Sequence, residues 1–116
     1  MSGNCYEEAA KYFLYGCKAD DKALVHAVVT GQGPVEGIRY GHAFVTYTGI
    51  NGEKVVYIEN LGGQVTEMNY EKYKKIGEIN DEEIVVYPDM SSVLRKLLET
   101  EHWGPWDQKI AEAVHN

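Results

Sequence analysis

The fold is decided by the stretch RYGHAFVTYTGINGEKVVYIEN, residues 39–60. Its first part, Arg39 to Thr48, is rich in β-branched and aromatic side chains and therefore predicts a strand. Asn51-Gly52 is a hairpin turn signal, because both residue types tolerate the left-handed backbone that tight turns require. Lys54 to Asn60 then predicts the returning strand, so the whole stretch is expected to form an antiparallel hairpin.

The loop length of this hairpin decides which residue shares a sheet face with His42. A three-residue loop, Ile50-Asn51-Gly52, pairs position 49 with position 53 and sets Asn60 opposite His42. A two-residue loop shifts the parity and brings Glu59 to the His42 face instead. Glycine in the last loop position favours the three-residue form, so Asn60 is the preferred interpretation and Glu59 stays open.

Two elements are predicted before the hairpin. Residues 4–15 predict a helix that ends at Gly16, with an apolar face at helical spacing formed by Cys5, Ala9, Tyr12 and Phe13. Residues 24–29 (LVHAVV) predict a buried strand, in which His26 is expected to be a core or sheet histidine. Residues 31–37 hold three glycines and a proline, which suits either a loop beside a cleft or a plain surface connection.

The remaining elements follow the hairpin. Residues 69–75 predict a short helix, and residues 83–87 predict a strand ended by Pro88. A helix capped by Ser91 or Ser92 is expected to run through Leu98, with an apolar face of Val93, Leu94, Leu97 and Leu98. Asp107 can cap a last helix that ends near Val114. This order predicts an α+β fold, with the N-terminal helix packed on a mainly antiparallel sheet and helices at the C-terminus.

Composition and charge limit the class of protein. A chain of 116 residues is expected to form a single domain, residues 1–116. Eighteen acidic against eleven basic residues give a net charge of −7, which argues against nucleic acid as a partner. No apolar run approaches the ~20 residues that span a bilayer, and the N-terminus lacks a signal pattern. We therefore expect a cytoplasmic protein without a membrane partner.

The residue types also bear on cofactors and grooves. The ends of a twelve-residue helix lie roughly 18 Å apart, so Cys5 and Cys17 are expected to be reduced thiols. Neither a Cys-x-x-Cys pair nor a metal-binding spacing of histidines is present, and no metal or other cofactor is expected. The nine tyrosines either line a groove or occupy half-buried strand positions.

Cys5 and His42 are the candidate catalytic pair. Asn4 can cap the first helix with Glu7, which places Cys5 in the first turn, where backbone N–H groups favour a thiolate and lower the thiol pKa. Glu7 and Glu8 lie within one turn of Cys5 and oppose that lowering. His42 offers a base on a nearby strand.

An oxyanion formed at Cys5 would need hydrogen-bond donors near the sulfur. The backbone N–H of Cys5 is the first candidate, since it lies at the start of the helix. The side chain of Asn4 and, after the Gly62-Gly63 turn, that of Gln64 are further candidates for substrate binding.

The order of these features resembles the papain-like cysteine hydrolase superfamily. A cysteine at the start of the first helix, then Gly41-His42-Ala43-Phe44-Val45 on a strand, then a polar residue at the end of the next strand is similar to its minimal NlpC-type and transglutaminase-like domains. The likeness covers residues 4–14 and 40–60, and it extends faintly to small phage-encoded proteins. It implies a papain-like fold with Cys5 as nucleophile, His42 as base and Asn60 as the residue that orients the ring.

This resemblance implies a thiol peptidase, amidohydrolase or acyltransferase that acts on an amide, isopeptide or thioester bond of a peptide-like substrate. The alternative is a non-catalytic protein-binding module on the same scaffold. In the segment HWGPWD, residues 102–107, Trp103 and Trp106 either pin the C-terminal helix onto the sheet or form a docking patch for a protein partner.

Overall fold

The computed structural model describes residues 5–31, 33–59 and 63–113. The helices are α1 (Cys5–Lys11), α2 (Tyr70–Ile76), α3 (Met90–Thr100) and α4 (Gln108–Ala113). The strands are β1 (Ala23–Thr30), β2 (Arg39–Thr48), β3 (Lys54–Glu59), β4 (Val65–Asn69) and β5 (Ile84–Tyr87). A π-helical turn, Tyr12–Gly16, extends α1, and short 3₁₀ turns lie at Gly33–Val35 and Asp81–Glu83.

The five strands form one sheet in the order β4-β3-β2-β1-β5, and each neighbouring pair is antiparallel. β1 lies between β2 and β5 and is buried from Leu24 to Val29, as its apolar sequence predicts. The α+β class and the antiparallel sheet are therefore confirmed. Within the described ranges, no helix is both long and apolar enough to cross a membrane.

The two faces of the sheet pack against different helices. On one face, Leu24 and Val28 of β1 pack with residues of α1, α3 and α4. On the other face, Val25 and Ala27 pack with Phe44 and with the tyrosines of α2. This division follows from the alternation of side chains along a strand.

The first helix differs from its prediction in the face that it buries. The core residues are Tyr6, Ala10, Phe13 and Leu14, which is the predicted stripe moved on by one position, so that Phe13 belongs to both. Cys5 and Ala9 are only half-buried. Both stripes have helical spacing, so periodicity alone could not choose between them.

α3 begins two or three residues earlier than the serines predict. Asp89 is its cap, and the Asp89 carboxylate accepts a hydrogen bond from the Ser92 backbone N–H at 2.8 Å. The predicted apolar face is also partly wrong, because Val93 is buried whereas Leu94 and Leu98 are 43% and 80% exposed. The helix touches the sheet along a narrower stripe than its leucines indicate.

The other caps agree with the sequence more closely. Asn69 caps α2 by accepting from the Lys72 N–H at 3.0 Å. Asp107 caps the start of α4 through the Lys109 N–H at 2.9 Å. Strand β4 is not predicted, because VTEMN is exposed along most of its length and lacks the alternation of a half-buried strand.

Candidate active site

The site begins where β2 and β3 separate. The Gly49 N–H donates to the Glu53 carbonyl at 2.8 Å, and the ladder continues to the pair Thr46↔Val56. Among the described residues, the pairing of these two strands ends there, and Tyr57 to Glu59 pair with β4 only. The amino-terminal half of β2 therefore has no strand partner on this side within the described part of the chain, and a cleft opens between β2 and β3.

The hairpin register is the one that a three-residue loop predicts. Position 49 pairs with 53, and Gly52 has the left-handed φ of +84° expected of the last loop residue. The two-residue register, on which the Glu59 alternative depended, is wrong. Glu59 nevertheless lines the cleft, because the strands have already separated at its level.

The cleft has a volume of about 220 Å³, which suits one amino-acid side chain rather than a large ligand. It lies between the helix α1 on one side of the sheet and α2 on the other. Its walls come from α1, the following turn, both separated strands and α2, and include Cys5, Glu8, His42, Tyr57, Glu59 and Tyr73.

Cys5 is half-buried at the start of α1. Burial raises the pKa of its thiol above the ordinary value. The backbone N–H groups of Ala43, Tyr6 and Cys5 itself act in the opposite direction, while the charge of Glu8 raises the pKa further. The predicted lowering of the pKa is therefore wrong, because the loss of hydration outweighs the hydrogen bonds that favour the thiolate.

The Ala43 N–H faces the Cys5 sulfur because of the strand separation. The Gly49 N–H is directed at β3, and alternate residues of a strand direct their N–H groups to the same neighbour. Ala43 therefore points its N–H toward the β3 side, at a level where the ladder has ended.

His42 lies on β2, next to Ala43 in sequence, and lines the same cleft as Cys5. Its half-buried ring lies between those of Tyr40 and Phe44, with centroids 6.0 and 6.2 Å away. Burial lowers the pKa of His42 to about 4. Within the described part of the chain, no hydrogen bond joins the His42 ring to the Cys5 thiol. At neutral pH the pair is thus a thiol and a neutral imidazole rather than an ion pair.

The remaining predicted site residues are Asn4, Asn60 and Gln64. Asn4 and Asn60 lie outside the described residues, and their roles stay predictions. Gln64 is exposed immediately before β4, and it is not among the described residues that line the cleft.

Aromatic side chains form much of the cleft wall. The rings of Tyr12 and Tyr57 meet edge to face at a centroid distance of 3.7 Å, and Tyr73 contacts Phe44 at 5.0 Å. The sequence assigns Tyr12 to the core face of the helix and gives Tyr57 and Tyr73 no role. The number of tyrosines was the available signal, and their groove-lining interpretation applies to these three.

The second histidine lies away from the cleft. His26 is fully buried, and neither ring nitrogen has a hydrogen-bond partner. Tyr6, Tyr87 and Trp106 surround the ring at centroid distances of 4.9 to 5.1 Å. The core interpretation of His26 is therefore confirmed.

Both tryptophans pack against the domain. Trp106 contacts His26 and Tyr87, and the Lys11 ammonium lies 5.6 Å from the centre of the Trp103 ring. This packing fits their pinning role, whereas a docking role stays a prediction.

The structure also bears on metal binding and disulfides. In residues 5–31, 33–59 and 63–113, no three His, Cys, Asp or Glu side chains form a group that could hold a metal ion. Cys5 and Cys17 are free thiols.

Comparison with models of known protein families, with curated proteins and with solved structures gives no match for this chain. The geometry of the cleft is therefore what indicates a function.

Proposed function

We propose that this protein is a small cysteine hydrolase or acyltransferase of papain-like architecture, acting on an amide, isopeptide or thioester bond. The supporting observation is that Cys5 and His42 line one cleft in which the Ala43 N–H faces the sulfur. A nucleophile, a base and a backbone donor around one space are the parts that acyl transfer requires.

The protonation states define how the reaction would begin. His42 is neutral at pH 7 and can accept a proton, whereas the Cys5 thiol keeps its own. The thiol proton passes to the imidazole as the sulfur attacks the carbonyl carbon, so the thiolate does not accumulate beforehand. A carbon–sulfur bond forms, and the carbonyl π electrons move onto oxygen.

Backbone donors would stabilise the resulting oxyanion. The N–H groups of Ala43 and Cys5 both lie near the sulfur, and a tetrahedral oxygen formed there would lie within their reach. Collapse of the intermediate breaks the bond to the leaving group, which takes the proton from the His42 imidazolium. The acyl thioester on Cys5 then passes to water or to an amine, and Asn60 would hold the ring of His42.

A second function is supported by two of the same observations. The raised pKa of Cys5 and the absence of a hydrogen bond to His42 within the described residues are also expected of an inactive site. In that case the cleft would bind a partner segment without chemistry, on the same scaffold.

Acylation by p-nitrophenyl acetate separates the two functions. We expect p-nitrophenolate release with transient acetylation of Cys5, located by mass spectrometry, followed by release of acetate. Cys5→Ala abolishes this acetylation, and His42→Ala slows it by roughly 100-fold, since general base catalysis contributes 10²–10⁴-fold. Cys17→Ala is the matched control, because that thiol is buried outside the cleft.

Acetylation of Cys5 at the same rate in the His42→Ala variant would exclude His42 as the base. Labelling no faster than that of an unactivated model thiol with the same pKa would leave the binding module as the function.

A further inference from the structure

The ionised groups that line the cleft all have the same sign. Glu8 contributes from α1 and Glu59 from β3, and among the described residues no lysine or arginine lines the cleft. Burial keeps the pKa of Cys5 raised and that of His42 low, so both are neutral at pH 7. Counting the described lining residues alone, the cleft therefore carries the two carboxylates as its net charge.

Lysines on the surrounding helices do not neutralise these charges. The Lys11 ammonium contacts the Glu7 carboxylate at 2.6 Å and lies over the Trp103 ring. Lys74 contacts Asp81 at 3.3 Å and lies over Tyr70. Within the described ranges, neither Glu8 nor Glu59 takes part in a salt bridge.

The aromatic walls suit the same kind of occupant. Tyr12, Tyr57 and Tyr73 line the same cleft as the carboxylates, and a cation over the face of such a ring is attracted by its quadrupole. Burial raises the pKa of each of these tyrosines, that of Tyr12 to about 12, so the rings stay uncharged at neutral pH. The hydroxyl of Tyr57 lies 3.4 Å from the Glu59 carboxylate, so the aromatic wall and this carboxylate are in contact.

From this lining we infer that the cleft binds the cationic side chain of a lysine or arginine adjacent to the bond that Cys5 attacks, with Glu8 and Glu59 as its specificity residues. The inference rests on the proposed function, since it names the substrate class of the same site. The volume of about 220 Å³ is consistent with one such side chain.

Glu8 would then couple binding to reactivity. Its charge contributes to the raised pKa of Cys5 from one turn away. An ammonium bound at Glu8 offsets that charge, so the thiolate becomes more accessible when a cationic substrate is present. A neutral substrate does not offset the charge of Glu8, so the pKa of Cys5 stays raised.

Charged thiol reagents test the selectivity without requiring hydrolysis. Cys5 is treated with 2-aminoethyl, methyl and 2-sulfonatoethyl methanethiosulfonate, in a Cys17→Ala background. In each reaction the Cys5 sulfur displaces methanesulfinate and forms a mixed disulfide. We expect the cationic reagent to react about tenfold faster than the anionic one, after normalisation to 2-mercaptoethanol, as for a cleft lined by one sign of charge.

Three variants assign the effect to its residues. Glu8→Gln and Glu59→Gln each reduce the preference, and the double variant removes it. Glu7→Gln is the matched control, because Glu7 lies on the same helix but pairs with Lys11 outside the cleft. Equal rates for the cationic and anionic reagents, or a preference that survives in the double variant, would overturn the inference.

Peptide thioesters distinguish this inference from the proposed function. We expect acyl transfer to Cys5 from a lysine-containing thioester to exceed that from its norleucine counterpart, and the advantage to fall in the double variant. Turnover of both thioesters at one rate would refute the charge selectivity while leaving the cysteine chemistry intact. A reagent preference that depends on Glu8 and Glu59, without acylation by any thioester, would refute the cysteine chemistry and leave a cation-binding cleft.

Discussion

His26 and His42 lie on neighbouring strands, and burial lowers the pKa of both to about 4, yet their surroundings differ. His26 is enclosed on the face that carries α1 and α4, with no hydrogen-bond partner for either nitrogen. His42 lies at a break in the sheet and lines a cleft with a thiol. A lowered pKa therefore identifies desolvation, whereas access to a reacting group decides whether a histidine can act as a base.

The largest effect that separates the two histidines is on acylation. His42→Ala is expected to slow acylation of Cys5 by roughly 100-fold, because it removes the base. His26→Leu should leave the rate within about threefold, since the His26 ring does not line the cleft. Stopped-flow release of p-nitrophenolate measures both. A large loss in the His26 variant, with its fold intact by circular dichroism, would place the active base elsewhere.

Acid stability tests the burial of the two histidine rings. The unfolded chain binds a proton at His26 near pH 6.5, whereas the folded protein resists it down to about pH 4. The stabilisation is therefore complete above about pH 6.5 and is lost as the pH falls to about 4, by an amount on the order of 3 kcal/mol. Urea unfolding at pH 7 and pH 4.5 measures it.

His26→Leu should remove most of this acid sensitivity, since leucine does not titrate. His42→Ala should remove a comparable amount, because burial lowers the pKa of His42 to about 4 as well. The same pH dependence in wild type and in the His26 variant would show that other groups cause it.

Gly41→Ala tests the packing around His26 from β2. A β-carbon at Gly41 would overlap the Tyr6 hydroxyl and lie 3.1 Å from the Ile110 carbonyl oxygen. Overpacking of this kind costs about 1–3 kcal/mol, and here it acts on the face of the sheet that carries α1 and α4. We expect a lower free energy of unfolding, measured in urea. A variant as stable as wild type would show that Tyr6 can move away at no cost.

The smallest expected effect is on the alkylation rate of the Cys5 thiol. Glu8→Gln removes a charge that raises the pKa of Cys5, so iodoacetamide should alkylate Cys5 about two- to threefold faster at pH 7.5. Glu7→Gln should change the rate less, because Glu7 is paired with Lys11. Equal acceleration by both variants would indicate a general effect of net charge rather than a local one.

The hairpin could be predicted from sequence because its signals are local. The β-branched and aromatic residues of the stretch 39–48 and the Asn51-Gly52 turn predict both the strands and their register, and the structure agrees with both. The capping side chain of Asp107 is likewise a local signal, and it acts as predicted.

Features that depend on tertiary packing were harder to predict. Two stripes of the first helix have equal periodicity, and only packing on the sheet selects Tyr6 and Ala10 for the core. The pKa of Cys5 depends on how deeply the thiol is buried, which no helix-start pattern contains. The separation of β2 from β3 also has no signature in either strand, so Glu59 and Tyr57 could not be assigned to the cleft.

The separation of β2 and β3 gives this sheet an internal edge in addition to its two outer ones. Outer edges such as β5, where Val86 is 51% exposed, can pair with any strand that approaches from solution. The internal edge is different, since α1 covers it on one side and Tyr73 of α2 on the other. The internal edge can therefore expose unpaired backbone groups to a narrow ligand. A strand of another molecule cannot reach it, so it does not promote the edge-to-edge association that leads to aggregation.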